Sequence, residues 1–264
     1  MNNPDNKYPA GRKPINAERF VAALAGLYSA DRRIATAPGS IFMRDHEDKI
    51  SDSAGYSQWL SALLDFLKSE LSVPRLRILD MGCGTGELTV RMNLLGYEAV
   101  GADIHAERLG LARLLAEENG LPAATFELLY PSAGRLPFKD KTFDVVTMFS
   151  VLEHMDDAAV GNLAGEIARI CRGVVFVLVP NKIKKADDHT GLWFVPLMPD
   201  AIAKTYVNLR GGKYRYYISL SGGWDVRYRT WSGIKNFLIL ISRRASSPQS
   251  LCFRADRIFS SEKK

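Results

Sequence analysis

The sequence predicts an α/β protein whose core is a doubly wound, mainly parallel sheet with helices on both faces. Short apolar runs of strand length alternate with segments of about ten to fifteen residues that have helical spacing, which is typical of βαβ units. A glycine-rich loop, Leu79 to Thr89, follows the first apolar run and precedes a helical pattern. At 264 residues, with 47% hydrophobic and 24% charged residues, the chain can form one large domain with an insertion.

The first elements follow from apolar spacing and from stop signals. A helix is predicted over Gly55 to Leu71, where apolar side chains recur at helical spacing, and Pro74 marks its end. The first strand, Leu76 to Met81, leads into the glycine loop. A second helix is predicted from Gly86 to Leu95, and Gly96 closes it.

The later elements repeat the alternation. The predicted order is a second strand at Glu98–Asp103, a helix at His105–Glu118, a third strand at 125–130, a fourth strand at 143–150, a helix around 160–170 and a fifth strand at 173–180. The fourth strand is apolar along nearly its whole length, as expected for a strand buried on both faces. Asp156 or Asp157 is available to cap the helix that follows it.

The alternation stops after Pro180. Residues 181–229 contain Trp, Tyr, Gly and basic residues without a steady period, which predicts an insertion or lid over the carboxyl edge of the sheet. Thr230 is the predicted N-cap of a further helix, and residues 250–259 are predicted to form a last strand. The predicted organisation is a tail and cap segment at 1–54, a core at 55–180, the insertion at 181–229 and a C-terminal helix and strand at 230–264.

Composition narrows the class of protein. The longest unbroken apolar stretch, Val174–Val179, is far shorter than the roughly 20 residues of a membrane-spanning helix, and the polar N-terminus lacks the apolar segment of a secretory signal. Cys83, Cys171 and Cys252 are scattered, without a CxxC motif or a His/Cys cluster. We therefore expect reduced thiols, a cytoplasmic protein and no metal site. The sequence does not indicate an oligomeric state.

Positive charge is concentrated in the C-terminal third. From Asp200 to Lys264 the chain has 13 Lys or Arg against 4 Asp or Glu, and a solvated surface is the simplest explanation. Residues 209–231 interleave basic residues with Tyr and Trp, which favours a strand pair with aromatic side chains inward and arginines outward. Tyr216 is a candidate substrate contact in this segment, and nucleic-acid binding is a less favoured alternative.

The glycine loop has the spacing of a nucleoside-binding site. Gly82, Gly84 and Gly86 form G-x-G-x-G after the first strand, so a ligand can approach bare backbone N–H groups at a helix N-terminus. The dinucleotide pattern G-x-G-x-x-G is not present, because position 87 is Glu87. That glutamate would repel a pyrophosphate, but it would be harmless to an adenosine ligand with a sulfonium and an ammonium group.

Two acids frame this loop. Asp80 immediately precedes it and can pair with an ammonium group or hold the loop through hydrogen bonds. Asp103 ends the second strand, where a carboxylate can accept both hydroxyls of a ribose. We expect Asp103 to contribute little to packing, so that its removal weakens ligand binding and leaves the fold intact.

With these motifs, the segment from about Arg75 to Asn181 resembles the class I S-adenosylmethionine-dependent methyltransferases, in the group that includes quinone-biosynthesis and many small-molecule methyltransferases. The family's successive motifs are matched by ILDMGCGTGELT, GADI, RLPFKDKTFDVVTMFSVLEHMDD and VFVLVPN. The resemblance implies a Rossmann-like methyltransferase fold, S-adenosylmethionine as the cofactor and methyl transfer as the reaction.

The resemblance also implies a set of cofactor contacts. They are Asp80, Gly82, Gly84 and Gly86 at the methionine end with Cys83 beside them, Asp103 at the ribose, Ile104 against the adenine, Ser132 with Ala133 near the adenine amino group, and Ser150 and Val151 at the methionine moiety. The family usually has an acid where this chain has Ser132. The Ser132 hydroxyl can still accept a hydrogen bond, and adenine recognition is expected to be weaker or rearranged.

Methyl transfer needs alignment above all, and it needs a general base only where the acceptor is a hydroxyl. His154, just past the fourth strand, is the candidate catalytic residue, and an orienting hydrogen bond is its alternative role. Glu153 is predicted to anchor the same loop. His189 is a candidate substrate contact, and His46, flanked by acids, is predicted to lie on the surface.

We expect a cytoplasmic methyltransferase that acts on an oxygen of a small, lipid- or sugar-linked acceptor. Two alternatives stay open: an RNA or protein methyltransferase that uses the basic C-terminal third, and a module that keeps the fold but has no turnover. A nicotinamide dehydrogenase is disfavoured by Glu87 and by the glycine spacing. The sequence does not identify the acceptor.

Overall fold

The computed structural model of the chain describes residues 14–29, 41–130, 134–180, 182, 185, 192–210 and 226–244. These residues belong to two compact units, Met1–Tyr130 and Pro131–Lys264. Both units combine parallel strands with helices, so the predicted α/β class is confirmed.

In the described residues, the first unit contains five α-helices, one short 3-10 helix and three strands. The α-helices are α1 (Glu18–Tyr28), α2 (Ile41–Ser51), α3 (Tyr56–Leu71), α4 (Glu87–Leu94) and α5 (Ala106–Glu118), and the strands are β1 (Arg77–Met81), β2 (Glu98–Asp103) and β3 (Phe126–Leu128). From α3 onward these elements lie close to their predicted bounds. The sequence pattern does not predict α1 or α2.

Parallel pairing places the loop after β1 beside the tip of β2. Asp80 pairs with Gly101 and Met81 pairs with Ala102, so both strands end at the same edge. The backbone N–H groups of Gly82 and Cys83 donate to the carbonyl of Ala102, at 2.7 and 3.1 Å. The start of the glycine loop is therefore hydrogen-bonded to Ala102, the residue just before Asp103 at the end of β2.

The N-terminal helices are part of the core of the first unit. Phe20 and Leu24 of α1 and Met43 of α2 are buried in one cluster with apolar side chains of α4 and α5. Asn16, just before α1, exchanges hydrogen bonds of 3.0 and 2.8 Å with Asn119 at the end of α5. The described part of the predicted tail and cap segment is thus packed on α4 and α5.

The second unit contains, in the described residues, β4 (Phe143–Phe149), α6 (Asp157–Ile170), β5 (Cys171–Leu178), α7 (Asp200–Arg210) and α8 (Trp231–Arg244). β4 is buried along almost its whole length, as predicted from its apolar sequence, and it pairs in parallel with β5. Asp156 is the cap of α6, because its carboxylate accepts the N–H of Ala159 at 2.8 Å. Within the first unit the strand order is β3-β2-β1, and within the second unit β4 lies beside β5.

The segment predicted as an insertion or lid contains α7, which its sequence pattern does not predict. α7 buries Ala203 and Val207 in a small apolar cluster with Leu192 and Val195. The predicted strand at 250–259 lies outside the described residues. In the part of the chain that is described, no helix combines the length and the apolar character that crossing a membrane requires.

Candidate active site

The three loop glycines all have positive φ, but the absence of a side chain matters for different reasons at Gly84 and Gly86. φ is +74° at Gly82, +57° at Gly84 and +86° at Gly86, a region that favours glycine. A Cβ on Gly84 would meet no atom within 4 Å, so the loop is open there. A Cβ on Gly86 would lie 2.7 Å from the Cβ of Ala112 and 2.8 Å from the ring of Phe126. Gly84 therefore leaves room for a ligand, whereas Gly86 allows close packing of α5 and β3.

Asp103 is a buried acid that holds the loop. Its Oδ2 accepts the N–H of Gly84 at 2.9 Å, and its Oδ1 accepts the backbone N–H of His105 at 2.9 Å. The carboxylate of Asp103 thus ties the open glycine to the end of β2, a contact that the sequence does not predict, and the expected effect of its removal stays a prediction. Nδ1 of His105 also lies 2.9 Å from Oδ1, so of about four acceptor sites on the carboxylate roughly one is left for a ribose hydroxyl.

Asp80 and Ile104 lie next to the same loop. Asp80 is buried, and its Oδ2 accepts the hydroxyl of Thr89 at 2.6 Å, so it anchors the first turns of α4. The two roles that the sequence allows for Asp80, pairing with an ammonium group and holding the loop, stay predictions. Ile104 is 52% exposed, and it offers apolar surface directly after the strand tip.

The glycine loop lies in a negative environment. Burial and the carboxylates of Asp80, Asp103 and Glu87 raise the pKa of the Cys83 thiol well above its ordinary value. Three carboxylates therefore act on one position of the loop. Such a site favours a cationic ligand over an anionic one.

Glu87 makes a contact that the sequence does not reveal. It is buried, its Oε2 accepts the hydroxyl of Thr85 at 2.8 Å, and its Oε1 is bonded to Nδ1 of His46 in α2. Burial opposes ionisation, but the charge and hydrogen bond of His46 and the charge of Lys49 lower the pKa of Glu87 to about 2. The side chain of His46 is 13% exposed, so the prediction that His46 lies on the surface is wrong.

In the second unit, the turn after β4 carries the predicted catalytic residue. Ser150 has a φ of +56°, which is uncommon for a residue other than glycine and is often found at functional sites. Ser150 and His154 are exposed, and Val151 is half-buried. These side chains are therefore accessible within the turn.

Glu153 lies in the same turn and is fully buried. Burial raises the pKa of its carboxyl group to about 7, although a hydrogen bond with Ser150 and the charge of Arg229 act in the opposite direction. A carboxyl group with this pKa can accept or release a proton near neutral pH. The sequence predicts only an anchoring role for Glu153, because burial of its side chain cannot be inferred from the motif.

Glu153→Gln should make the stability of the protein less dependent on pH. The folded chain binds the Glu153 proton with a pKa of about 7, against an ordinary value of 4.5, so wild-type stability falls as the pH rises through this interval. The loss is on the order of 3 kcal/mol. Urea unfolding at about pH 5 and about pH 8 should give a smaller difference in unfolding free energy for Glu153→Gln than for wild type. Equal differences would show that Glu153 does not titrate in this interval.

Arg229 connects the segment before α8 to this turn. Its guanidinium donates to the carbonyls of Leu152 at 2.9 Å and Met155 at 2.6 Å, and to the carboxylate of Asp157 at 2.8 Å. The side chain is 14% exposed. The prediction that the arginines of residues 209–231 point outward is therefore wrong at Arg229, whose planar donors are used by the acceptors of the turn.

Four predicted site residues lie outside the described residues: Ser132, Ala133, His189 and Tyr216. Their roles remain predictions, as do the ligand contacts of the residues described above. Among the described residues, no group of three or more His, Cys, Asp or Glu side chains is placed to hold a metal ion.

Fold and site together define a class of domain. The open glycine loop after β1, the acid at the tip of β2 and the turn after β4 occur in the order of a class I S-adenosylmethionine-dependent methyltransferase. Residues 78–173 match the methyltransferase domain family. This segment is a methyltransferase domain of that class, and the cofactor of the class is S-adenosylmethionine.

Particular relatives match part of the chain. A ubiquinone biosynthesis O-methyltransferase from Ruegeria sp. (strain TM1040) is 40% identical over 91 residues, which cover 34% of this chain and 36% of the relative. The enzyme of the same name from Nitrosococcus oceani is 35% identical over 125 residues, which cover 47% of this chain and 51% of the relative. The chain thus spans between 36% and 51% of the length of these curated relatives.

A solved structure of magnesium protoporphyrin IX methyltransferase from Synechocystis PCC 6803, with bound SAH, is also similar. It is 18% identical with a TM-score of 0.47, over 72% of this chain and 74% of that chain.

Proposed function

We propose that the chain is an S-adenosylmethionine-dependent methyltransferase that methylates an oxygen of a small, lipid- or sugar-linked acceptor. The observation that carries the proposal is the open Gly84, tied by its N–H to the buried carboxylate of Asp103 within a methyltransferase domain. Oxygen is favoured as the acceptor atom because the relatives are named O-methyltransferases. The cytoplasm is the proposed location, since Cys83 and Cys171 are free thiols.

The described residues fit this cofactor on chemical grounds. The open face at Gly84 leaves room for a ligand against the backbone, and Asp103 retains an acceptor site for a ribose hydroxyl. The carboxylates around Cys83 suit the positive charges of a sulfonium and an ammonium group, and they would repel the pyrophosphate of a dinucleotide. Exposed Ile104 offers apolar surface to an adenine ring.

The proposed mechanism assigns alignment to the loop and proton removal to the turn after β4. S-adenosylmethionine supplies an electrophilic methyl group on a positively charged sulfur. Gly84 and Asp103 would hold the nucleoside side of the ligand, and a fixed ligand favours transfer because alignment is the main requirement of the reaction. Exposed His154 would take the proton of an acceptor hydroxyl, as a general base.

Asp103→Asn should raise the Kd of S-adenosylmethionine by about tenfold or more. The amide keeps the shape of the side chain, but it loses the charge and the acceptor that Gly84 and the ribose hydroxyls would share. Titration calorimetry with S-adenosylmethionine measures the change. Glu98→Gln, at the exposed start of the same strand, is the matched control and should bind the cofactor as wild type does. Wild-type affinity in Asp103→Asn would remove the ribose assignment.

The acceptor class is tested with a radiolabelled methyl donor and a cell extract. After incubation, the extract is separated into lipid, glycan, small-molecule, RNA and protein pools. Label in one of the first three pools, at a yield insensitive to salt, supports the proposal, because contacts to nucleic-acid phosphates weaken steeply with salt. Label in RNA or protein supports the alternative acceptors. Cofactor binding without label in any pool supports a non-catalytic module.

A further inference from the structure

Glu87 joins the cofactor loop to the N-terminal helix α2. It is the first residue of α4, directly after the glycine loop, and it is 4% exposed. Its two carboxylate oxygens have different partners: the hydroxyl of Thr85 inside the loop, at 2.8 Å, and Nδ1 of His46 on α2. The loop and α2 are therefore connected through one carboxylate.

Two separate carboxylates fix two consecutive residues of the loop. Asp103 accepts the N–H of Gly84, and Glu87 accepts the hydroxyl of Thr85. Glu87 can play this part only while its buried carboxylate is ionised, which requires partners that compensate for its lost hydration. His46 is the partner in direct contact, and Lys49, which is paired with Asp45 at 2.7 Å, adds its charge from the same helix.

α2 is held in place by contacts other than that of His46. Arg91 of α4 donates to the backbone carbonyls of Lys49 and Ile50. Met43 is buried in the core cluster with residues of α4 and α5. Loss of the His46 imidazole should therefore leave α2 packed and act on Glu87 and the loop.

We propose that His46 is a positioning residue: it influences binding of the cofactor through Glu87 and Thr85. This inference rests on the proposed function. His46 keeps the carboxylate of Glu87 ionised and directed at Thr85. The glycine loop then has its bound conformation before the ligand binds, so binding does not carry the entropic cost of ordering the loop. Supporting contacts of this kind set the precision of a site whose ligand-facing atoms are backbone groups.

The test is a double-mutant cycle on cofactor affinity. His46→Gln and Glu87→Gln should each raise the Kd of S-adenosylmethionine and of S-adenosylhomocysteine by about tenfold, measured by calorimetry. The double variant should lose about tenfold as well, not about a hundredfold, because both changes break the same link. A role confined to stability would lower the unfolding free energy of the variants and leave both Kd values unchanged.

Two further variants keep the test decisive. Asp48→Asn removes a carboxylate of α2 that is bonded to Ser53, and it should bind both ligands as wild type does. Thr85→Val keeps both charges and breaks the link from the loop side, so it should raise both Kd values even if a charge variant does not fold.

Three results would overturn the inference. Wild-type affinity in His46→Gln and Thr85→Val, or losses that multiply in the double variant, would overturn it alone. Wild-type protein that binds neither ligand would overturn the proposed function and this inference together.

Discussion

Gly84→Val should abolish binding of S-adenosylmethionine, with a Kd raised by at least about a hundredfold, or about 2.7 kcal/mol. The valine side chain would occupy the open face of the loop, where a Cβ meets no protein atom within 4 Å. A φ of +57° is also strained for a β-branched residue, so the N–H of Gly84 would move relative to Asp103. Titration calorimetry with S-adenosylmethionine measures the loss.

Gly120→Val is the matched control for this prediction. Gly120 has a φ of +70°, and a Cβ there also meets no atom within 4 Å, but it follows the end of α5 and not β1. It should show a similar loss of stability from backbone strain and an unchanged Kd. Wild-type binding by Gly84→Val, or equal loss of binding in both variants, would contradict the assignment of the open face to the ligand.

Arg91→Met should lower the free energy of unfolding by about 3 kcal/mol or more. Arg91 is 1% exposed, and its guanidinium donates to the hydroxyl of Ser57 at 2.7 Å and to the carbonyls of Lys49 and Ile50. It also lies 3.7 Å from the carboxylate of Asp52. Methionine keeps the bulk of the side chain, but it leaves a buried carboxylate without this cation and several acceptors without donors.

Urea unfolding of the cofactor-free protein measures this loss, and Arg77→Met is its control. Arg77 forms an ion pair with Glu98 at 2.9 Å, but both side chains are about half exposed. Exposed pairs contribute at most about 1 kcal/mol, so Arg77→Met should unfold near the wild-type midpoint. A loss in Arg91→Met as small as that of Arg77→Met would show that the buried network does not hold α2 and α3 to α4.

An element is easiest to predict from the sequence when nearly all of its residues are buried. β4 is an apolar run because almost all of it is buried, and its bounds are predicted closely. α7 is not predicted, because it buries small residues such as Ala203 and exposes Ile202 and Leu209. α2 is not predicted either, since charged residues interrupt its apolar spacing and part of its attachment to α4 is made by hydrogen bonds of Arg91.

The parts of the site that can be predicted are those whose residues lie close together in the sequence or follow from the strand order. The open Gly84 and the strand-tip Asp103 follow from a motif and from the order of the strands, and the structure joins them by a hydrogen bond. The contact of His46 with Glu87 spans 41 residues, and that of Arg229 with Leu152 spans 77. No local pattern encodes contacts of such separation, because they depend on how helices pack in three dimensions.

The central claim is that the glycine loop and the tip of β2 bind S-adenosylmethionine together. It is tested most directly by titrating ¹⁵N-labelled wild-type protein with S-adenosylmethionine while following the backbone amide signals by NMR. The amides of Gly84 and His105, which both donate to Asp103, should shift most and saturate together with that of Ile104. Saturable shifts elsewhere in the protein, with the signals of Gly84 and His105 unmoved, would contradict the claim.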